Sequence, residues 1–217
     1  LKHSNSFDIE KAKLEQKAED GSAWKPLIKT YRKSFQDWLK LALVNQHLTL
    51  EQRQNEYMQI SSGPINSFID EALPFMNPSE SSLFMVNPEE YMGTHCRFGM
   101  KGILYQSHFD AERNAAVQLR GLRRWILNPP TQCPNLYLFP QNHPNRRHTM
   151  VNFAHPNDQK YPKFGTALGL ELILQPGDLL YIPSYWIHAI QSLNVNIQCN
   201  ARSGMSHLHD STVRECG

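Results

Sequence analysis

From Cys96 onward the sequence is a succession of short apolar segments separated by glycine and proline. Six such segments are Ala115–Leu119, Arg124–Leu127, Glu171–Leu174, Asp178–Ile182, His188–Ser192 and Val195–Asn200. Gln175-Pro176-Gly177-Asp178 is a clear turn between two of them. Many short strands at this spacing predict a double-sheet jelly roll or barrel. The expected fold is therefore mainly β with flanking helices.

Residues 1–60 have a different pattern and are expected to form a helical amino-terminal segment. Between residues 24 and 50, apolar residues recur at helical spacing, at Leu27, Tyr31, Phe35, Trp38, Leu39 and Ala42. Such a stripe is most simply a helix face packed on the rest of the domain. The end of the segment, Tyr57–Ile60, is compatible with a strand.

Residues 61–204 are expected to form the jelly roll, with an insert loop at 131–168 and a tail at 205–217. The insert is rich in polar residues and contains Pro134, Pro140, Pro144, Pro156 and Pro162. Loops of this length in compact domains are usually functional or disordered.

Size and composition fit one globular domain. The chain has 217 residues, 40% of them hydrophobic and 19% charged, which is ordinary for a soluble fold. A net charge of +2 is too small to indicate a nucleic-acid or anionic-membrane partner. No segment approaches the roughly 18 consecutive apolar residues of a membrane helix. We expect no direct nucleic-acid partner and no membrane span.

The four cysteines (Cys96, Cys133, Cys199 and Cys216) form no C-x-x-C pair and no tight cluster. This spacing argues against a zinc ribbon or a disulfide framework and suits a reducing compartment. A cytoplasmic or nuclear location is expected. An organelle stays open, because the chain begins with Leu1 rather than Met.

A metal site is suggested by an H-x-D tripeptide and a distant histidine. On a strand, His108 and Asp110 point to the same face. His188 follows a strand, a proline-bounded turn and a second strand start, and such a hairpin can return a third ligand to the first two. Two imidazoles and one carboxylate suit the facial triad of non-haem Fe(II) oxygenases and also catalytic zinc. The spacing leaves both metals open, and also a local hydrogen-bonded pair of His108 and Asp110.

Residues 96–204 carry further short motifs in a fixed order. They are Gly99–Gly102, His108–Asp110, Gln118–Arg124, Asn128–Pro130, His143-Pro144, Val151–Phe153, Pro176–Pro183, Tyr185-Trp186 and Asn200. In order and spacing they resemble JmjC domains, the jelly-roll class of Fe(II)- and 2-oxoglutarate-dependent oxygenases, most closely their asparaginyl hydroxylases. The resemblance implies a cupin-like, double-stranded β-helix that uses Fe(II), 2-oxoglutarate and O2.

The resemblance also implies which residues hold these groups. The metal ligands would be His108, Asp110 and His188. The positions implied for 2-oxoglutarate are Arg123, Asn114, Asn200, Tyr105 and Tyr57. No catalytic residue beyond the metal ligands is implied.

The chain departs from the family pattern at several of these positions. Arg123 stands where the family usually has lysine, and arginine can pair with a carboxylate in a bidentate manner. Tyr105 replaces a small hydroxyl residue, so it either supplies the same hydroxyl or partly fills the pocket. Arg202 replaces a tryptophan. Arg147 and His148 lie where the hydroxylases contact their target, but His148 replaces a glutamine, and the alternative for both is a solvated basic turn.

The function implied is hydroxylation of a side chain in a protein or peptide substrate. The alternative is a JmjC-fold structural or binding subunit of a larger complex with little or no turnover, which Arg123 and Tyr105 favour. Histone-lysine demethylation fits the insert loop less well. The family's dimerisation helices have no counterpart in residues 205–217, so a homodimer of that kind is not expected. Its earlier strands have no match before residue 50, which indicates a fragment or a rebuilt end.

Overall fold

The computed structural model describes residues 2–3, 29–30, 32–49, 51–53, 56–61, 68–76 and 88–216. The strands in these ranges are β1 (Lys2–His3), β2 (Lys29–Thr30), β3 (Glu56–Ser61), β4 (Tyr91–Gly99), β5 (Leu104–Phe109), β6 (Glu112–Arg120), β7 (Arg123–Asn128), β8 (Leu170–Leu174), β9 (Leu179–Ile182), β10 (Ile187–Ser192) and β11 (Asn196–Met205). The α-helices are α1 (Phe35–Asn45), α2 (Phe68–Ala72), α3 (Cys133–Leu136) and α4 (Asp210–Arg214).

The strands form two antiparallel sheets. The larger has the order β2-β1-β3-β4-β11-β6-β9 and the smaller has the order β5-β10-β7-β8. The six segments predicted from the sequence pattern overlap β6 to β11. The prediction of a mainly β, cupin-like jelly roll is confirmed. Because β3 pairs with β4, the larger sheet also includes residues on the amino-terminal side of the expected boundary at residue 61.

The core lies between the two sheets. One buried cluster joins Ala116 and Ile182 of the larger sheet to Trp125, Leu127 and Ile190 of the smaller one. Trp125 is fully buried, and truncation of such a side chain to alanine typically costs about 3–5 kcal/mol. This packing holds the inner faces of β7 and β10 rigidly against β6.

Helix α1 covers one end of this core. Its first turn is capped by Ser34, whose Oγ accepts a hydrogen bond from the Asp37 backbone N–H at 3.1 Å. Trp38 and Ala42 are buried in a cluster with Met100, so the predicted apolar helix face is confirmed from residue 35 onward. None of the helices described is long and apolar enough to cross a membrane.

The helix expected between residues 24 and 34 is wrong where the structure describes it. Lys29 and Thr30 form β2, which pairs with Lys2 and His3 of β1. Pairing with a neighbouring strand satisfies the backbone hydrogen bonds and overrides the weak preference that residue spacing expresses. Leu27 and Tyr31, predicted on the same helix face, lie outside the described residues.

The cysteines form two disulfides, and the interpretation of their spacing was wrong. Cys96 and Cys199 lie directly opposite each other in β4 and β11 and are bonded. Cys133 of α3 is bonded to Cys216, just beyond α4. The partners are 103 and 83 residues apart, so only the fold brings them together. Disulfides persist mainly in oxidising compartments, so the cysteines no longer support the prediction of a cytoplasmic or nuclear location.

The insert and the tail pack onto the end of the barrel that carries β5 and β10. Leu136, in the insert, and Val213 of α4 belong to one buried cluster with Phe109 and Ile187. An isolated bridge also pairs His148 of the insert with His108. The insert is thereby fixed beside the first predicted metal ligand.

Candidate metal centre and cosubstrate pocket

The structure brings the three predicted metal ligands together. His108 of β5 lies directly opposite His188 of β10, and Asp110 follows β5 by one residue. One ligand atom from each of the three lies within 4.8 Å of the others, and His188 Nε2 is 3.9 Å from Asp110 Oδ2. Among the described residues this is the group of His, Cys, Asp and Glu side chains suited to a metal ion.

Both imidazoles are oriented by the backbone. His108 Nδ1 lies 2.7 Å from the Gln106 carbonyl oxygen, and His188 Nδ1 lies 2.9 Å from the Trp186 carbonyl oxygen. A carbonyl oxygen only accepts, so each Nδ1 must carry the proton and donate. Each Nε2 then has a free lone pair for a metal, which is the usual arrangement in protein metal sites.

Burial keeps both imidazoles neutral. It lowers the pKa of His108 well below 6.5, an effect strengthened by His188 and opposed by Asp110. Burial likewise lowers the pKa of His188, against the opposing effect of Asp110. A neutral imidazole is the form that binds a metal. The two histidines are therefore ready to act as ligands at neutral pH.

Asp110 is hydrogen-bonded to two arginines and its carboxylate is held ionised. Its Oδ2 accepts a hydrogen bond from Arg202 Nη2 at 2.7 Å, and its Oδ1 accepts one from Arg147 Nη1 at 3.0 Å. Burial by itself raises the pKa of Asp110, but the surrounding positive groups outweigh it and hold the pKa well below its ordinary value. Among the groups that lower this pKa, His108 and His188 have the larger effects, and Arg202 and Arg147 add to them.

These residues fit a divalent ion. They offer two Nε2 lone pairs and one ionised carboxylate, and one ligand atom of each residue lies within 4.8 Å of the others. Carboxylates have about four lone-pair positions, so the arginine contacts leave capacity for an ion. This donor set suits non-haem iron and also zinc.

A second polar region surrounds Arg123 of β7, which is fully buried. Its guanidinium donates to Oδ1 of Asn196, to Oε1 of Gln198 at 3.2 Å and to the Arg97 carbonyl oxygen at 3.3 Å. The Tyr105 hydroxyl lies 3.5 Å from Nη2, and the guanidinium carbon is 5.2 Å from the centre of the Tyr105 ring.

All these partners of Arg123 are neutral. No carboxylate in the described part of the chain forms an ion pair with Arg123, and burial lowers the pKa of its guanidinium. An unpaired buried cation costs several kcal/mol. The region therefore fits an anionic ligand, such as the far carboxylate of 2-oxoglutarate.

Buried amides connect Arg123 towards the metal ligands. Gln198 Nε2 donates to Asn200 Oδ1 at 3.0 Å, and Asn200 Nδ2 donates to Asn114 Oδ1 at 2.9 Å. Arg123, Asn200 and Asn114, three of the positions predicted for 2-oxoglutarate, thus share one network. Tyr57 lies in β3 opposite Gly99, but its side chain is outside the described part of the structure.

The contact between Tyr105 and Arg123 depends on an irregularity in β5. His188 of β10 lies opposite His108 of β5, and Ile190 lies opposite Tyr105. A step of two residues in β10 therefore matches a step of three residues in β5. The extra residue in β5 is a β-bulge, a feature that redirects side chains. Tyr105 and His108, three residues apart, can therefore both face the interior.

The two residues predicted to contact a substrate both lie at the metal ligands. The His148 ring stacks beside the His108 ring with 5.3 Å between centroids. The Arg147 side chain is 49% exposed, so it reaches the buried Asp110 from the solvent side. Both residues belong to the insert loop, which therefore reaches the metal ligands.

Sequence reasoning missed two further residues of the site. Arg202 was noted as the replacement of a tryptophan, but nothing in the sequence showed that it reaches Asp110. Arg97 Nη1 donates to Asn200 Oδ1 at 3.3 Å and adds a second cation near Arg123. It lies in β4, a strand that the apolar pattern did not predict.

A family model of the cupin-like domain matches residues 10–201. The chain belongs to the cupin-like family. Among the similar proteins, tRNA wybutosine-synthesizing protein 5 of Danio rerio is 31% identical over 113 residues, or 52% of this chain and 33% of that protein. JmjC domain-containing protein D of Dictyostelium discoideum is 31% identical over 108 residues, or 50% and 24%. HSPB1-associated protein 1 of Homo sapiens is 26% identical over 151 residues, or 67% and 28%.

The domain is thus of the cupin-like, JmjC type, and it spans a third or less of the length of these relatives. Solved structures with a similar chain course include E. coli ycfD, with 15% identity and a TM-score of 0.44 over 83% of this chain and 48% of that one. Another is a cupin superfamily protein of Desulfitobacterium hafniense, with 10% identity and a TM-score of 0.37 over 71% and 83%. The closer resemblance to asparaginyl hydroxylases stays a prediction.

Proposed function

We propose that this cupin-like protein is an Fe(II)- and 2-oxoglutarate-dependent dioxygenase that hydroxylates a protein side chain. One observation carries the proposal: a metal-ligand triad shares one interior with a buried arginine that has no carboxylate partner in the described chain. The triad suits a divalent ion. The arginine supplies the charge that a doubly negative cosubstrate requires, which favours iron over zinc.

The metal ligands, Arg123 and Trp125 have different roles in this reaction. Fe(II) bound by His108, Asp110 and His188 would supply the activation of O2 that couples oxidation of 2-oxoglutarate to hydroxylation of a C–H bond. Arg123 holds the far carboxylate of the cosubstrate, and its planar fork fixes the orientation of that group. Trp125 packs 5.6 Å from the His188 ring, between centroids, and excludes water from behind this ligand.

Asn200 and Asn114 orient the other end of the cosubstrate. Their direct hydrogen bond and the contact of Asn200 with Gln198 fix both amides in the network that includes Arg123. Such preorganised polar groups act without reorganising during the reaction. The network therefore holds the cosubstrate in a fixed position relative to the metal ligands.

The relatives' names point in two directions for the substrate. One refers to wybutosine synthesis in tRNA and another to association with HSPB1. A protein target is favoured by the small net charge of this chain, since nucleic-acid binding relies on many phosphate contacts. Arg147, exposed on the insert loop at the triad, is the residue best positioned to contact that target.

The decisive experiment measures binding and turnover separately. Anaerobic titration with Fe(II) and then 2-oxoglutarate should show stoichiometric binding, followed by succinate release when oxygen is admitted. Binding of both without any succinate, even with peptide substrates supplied, would overturn the dioxygenase proposal.

That negative result would favour the second candidate, a JmjC-fold structural or binding subunit. Two observations support this alternative. Both oxygens of Asp110 are already hydrogen-bonded to arginines, and four N–H groups of Arg123 already have acceptors in the chain.

A further inference from the structure

The arginines beside Asp110 carry more positive charge than this carboxylate offsets. Arg202 and Arg147 both pair with Asp110, at 2.7 and 3.0 Å. Within the described residues, neither forms an ion pair with any other acidic group. One of the two positive charges therefore lacks a counter-charge from the chain.

The same arginines have hydrogen-bonding capacity to spare. A guanidinium has five N–H donors, and each of the two uses one on Asp110. Arg202 Nε is buried and has no hydrogen-bond partner among the described atoms. A buried donor without an acceptor is unfavourable, because it has lost its hydrogen bond to water and gained none in return. A donor left in this state beside a reaction centre indicates an acceptor that the chain does not supply.

Loading the site does not remove the excess charge. Histidines that ligate a metal are neutral, and the charges of a divalent ion and a doubly negative cosubstrate cancel. An ion bound to Asp110 also shares the oxygens that the arginines now contact, which weakens their hold on that residue. The excess positive charge then faces solvent at Arg147, whose side chain is half exposed.

We propose that the target of the reaction carries an oxyanion, a carboxylate or a phosphate, which Arg202 and Arg147 bind together. This inference rests on the proposed function and names the chemical class of its substrate. Guanidinium groups match planar or tetrahedral oxyanions with paired hydrogen bonds. Arg202, 20% exposed, contacts the anion at depth, and Arg147 contacts it from the solvent side.

The test is a binding measurement that needs no turnover. Mn(II)-loaded protein saturated with 2-oxoglutarate is titrated calorimetrically with four amino acids blocked at both ends: aspartate, asparagine, phosphoserine and serine. We expect at least one anion to bind about tenfold more tightly than its neutral counterpart, a difference of about 1.4 kcal/mol. The two pairs distinguish a carboxylate from a phosphate.

Substitutions of single arginines test which residue produces the preference for the anionic probe. Arg202→Gln should reduce the preference for the anion to about twofold or less, whereas Arg202→Lys should keep most of it. Arg146→Gln removes an exposed neighbouring charge in the same loop and should leave the preference unchanged. Circular dichroism and thermal melting check that each variant is folded.

Two outcomes would overturn the inference. The anionic and neutral probes could bind equally well to the parent protein, or Arg202→Gln could weaken 2-oxoglutarate binding and leave the preference intact. The second result would assign Arg202 to the cosubstrate. Failure of the proposed function can be distinguished from failure of this inference, because it would be seen as a lack of 2-oxoglutarate binding or of succinate release. The anion preference can be measured with Mn(II) alone in that case.

Discussion

The interior has two sides that differ in the sign of their central charged group. This group is the carboxylate of Asp110 on the metal side and the guanidinium of Arg123 on the proposed cosubstrate side. On the metal side, Asp110 is paired with two arginines from β11 and the insert loop. On the cosubstrate side, Arg123 is fully buried among neutral acceptors such as Asn196 and Gln198. The Asp110 carboxylate can be shared with a metal ion, whereas the Arg123 guanidinium has no acidic partner in the described chain and fits an anion. The difference indicates that the two sides bind different partners.

The largest expected effect concerns the metal side. Asp110→Ala removes the single anionic ligand, so affinity for Fe(II) or Mn(II) should fall by more than about 100-fold, since loss of even an outer-shell partner typically costs 10- to 100-fold. Isothermal titration calorimetry under anaerobic conditions measures this. Asp158→Ala, an exposed substitution in the insert loop, is the matched control.

Because Asp110→Ala also leaves two arginines without their carboxylate, Asp110→Asn is needed as a second variant. It keeps the shape and acceptor oxygen of the side chain and removes the charge. Metal affinity equal to that of the parent protein in both folded variants would reject the ligand set.

The next effect concerns the cosubstrate side. Arg123→Met should lower the affinity for 2-oxoglutarate by about 10- to 100-fold, since hydrogen bonds to charged groups contribute about 1.5–3 kcal/mol. Arg123→Lys keeps the charge and should lose less. Arg124→Met is the control, because Arg124 pairs with Glu171 on the outer face. Fluorescence titration in metal-loaded protein gives the affinities.

An equal loss of affinity in Arg123→Met and Arg124→Met would break the contrast between the two sides. So would unchanged affinity in Arg123→Met with intact metal binding. In either case the buried cation would be a structural element of the amide network.

The two sides also differ in how far the sequence predicts them. His108 and Asp110 could be found directly, because strand geometry places residues two apart on one face. Arg123 and Asn200 could be found only through the family resemblance, since a buried arginine and a surface one look alike in a sequence. Arg202 and Cys199 depend on the register of β11 with its neighbours, which no local pattern specifies. Their contacts with Asp110 and Cys96 could not be predicted.

A smaller effect tests the amide network that joins the two sides. Asn200→Ala leaves Asn114 Oδ1 and Gln198 Nε2 without their partner in a buried place. Unpaired buried polar groups of this kind cost about 1–3 kcal/mol, so the free energy of unfolding in urea should fall by that amount. Asn142→Ala, on the exposed part of the insert, should change it little. Equal stability of the two variants would show that the network is solvated and does not connect the sides.

The smallest expected effect is a pH dependence confined to the metal side. In metal-free protein, burial lowers the pKa of His108 and His188 below 6.5, whereas in the unfolded chain both return to about 6.5. Below that pH the unfolded state binds more protons than the native state. Stability should therefore fall as the pH decreases from 6.5, and stay level above it as far as these two groups are concerned.

Each histidine contributes at most about 1.4 kcal/mol per pH unit to this loss. The measurement is the urea midpoint at pH 7.5, 6.5 and 5.5 with a chelator present. His188→Gln should flatten the dependence, and His155→Gln, exposed on the insert, should leave it as in the parent protein. Arg123→Met should also leave the slope unchanged, because the described hydrogen-bond partners of Arg123 include no histidine. If Arg123→Met changed the pH dependence of the urea midpoint and His188→Gln did not, the titrating groups would not belong to the metal side.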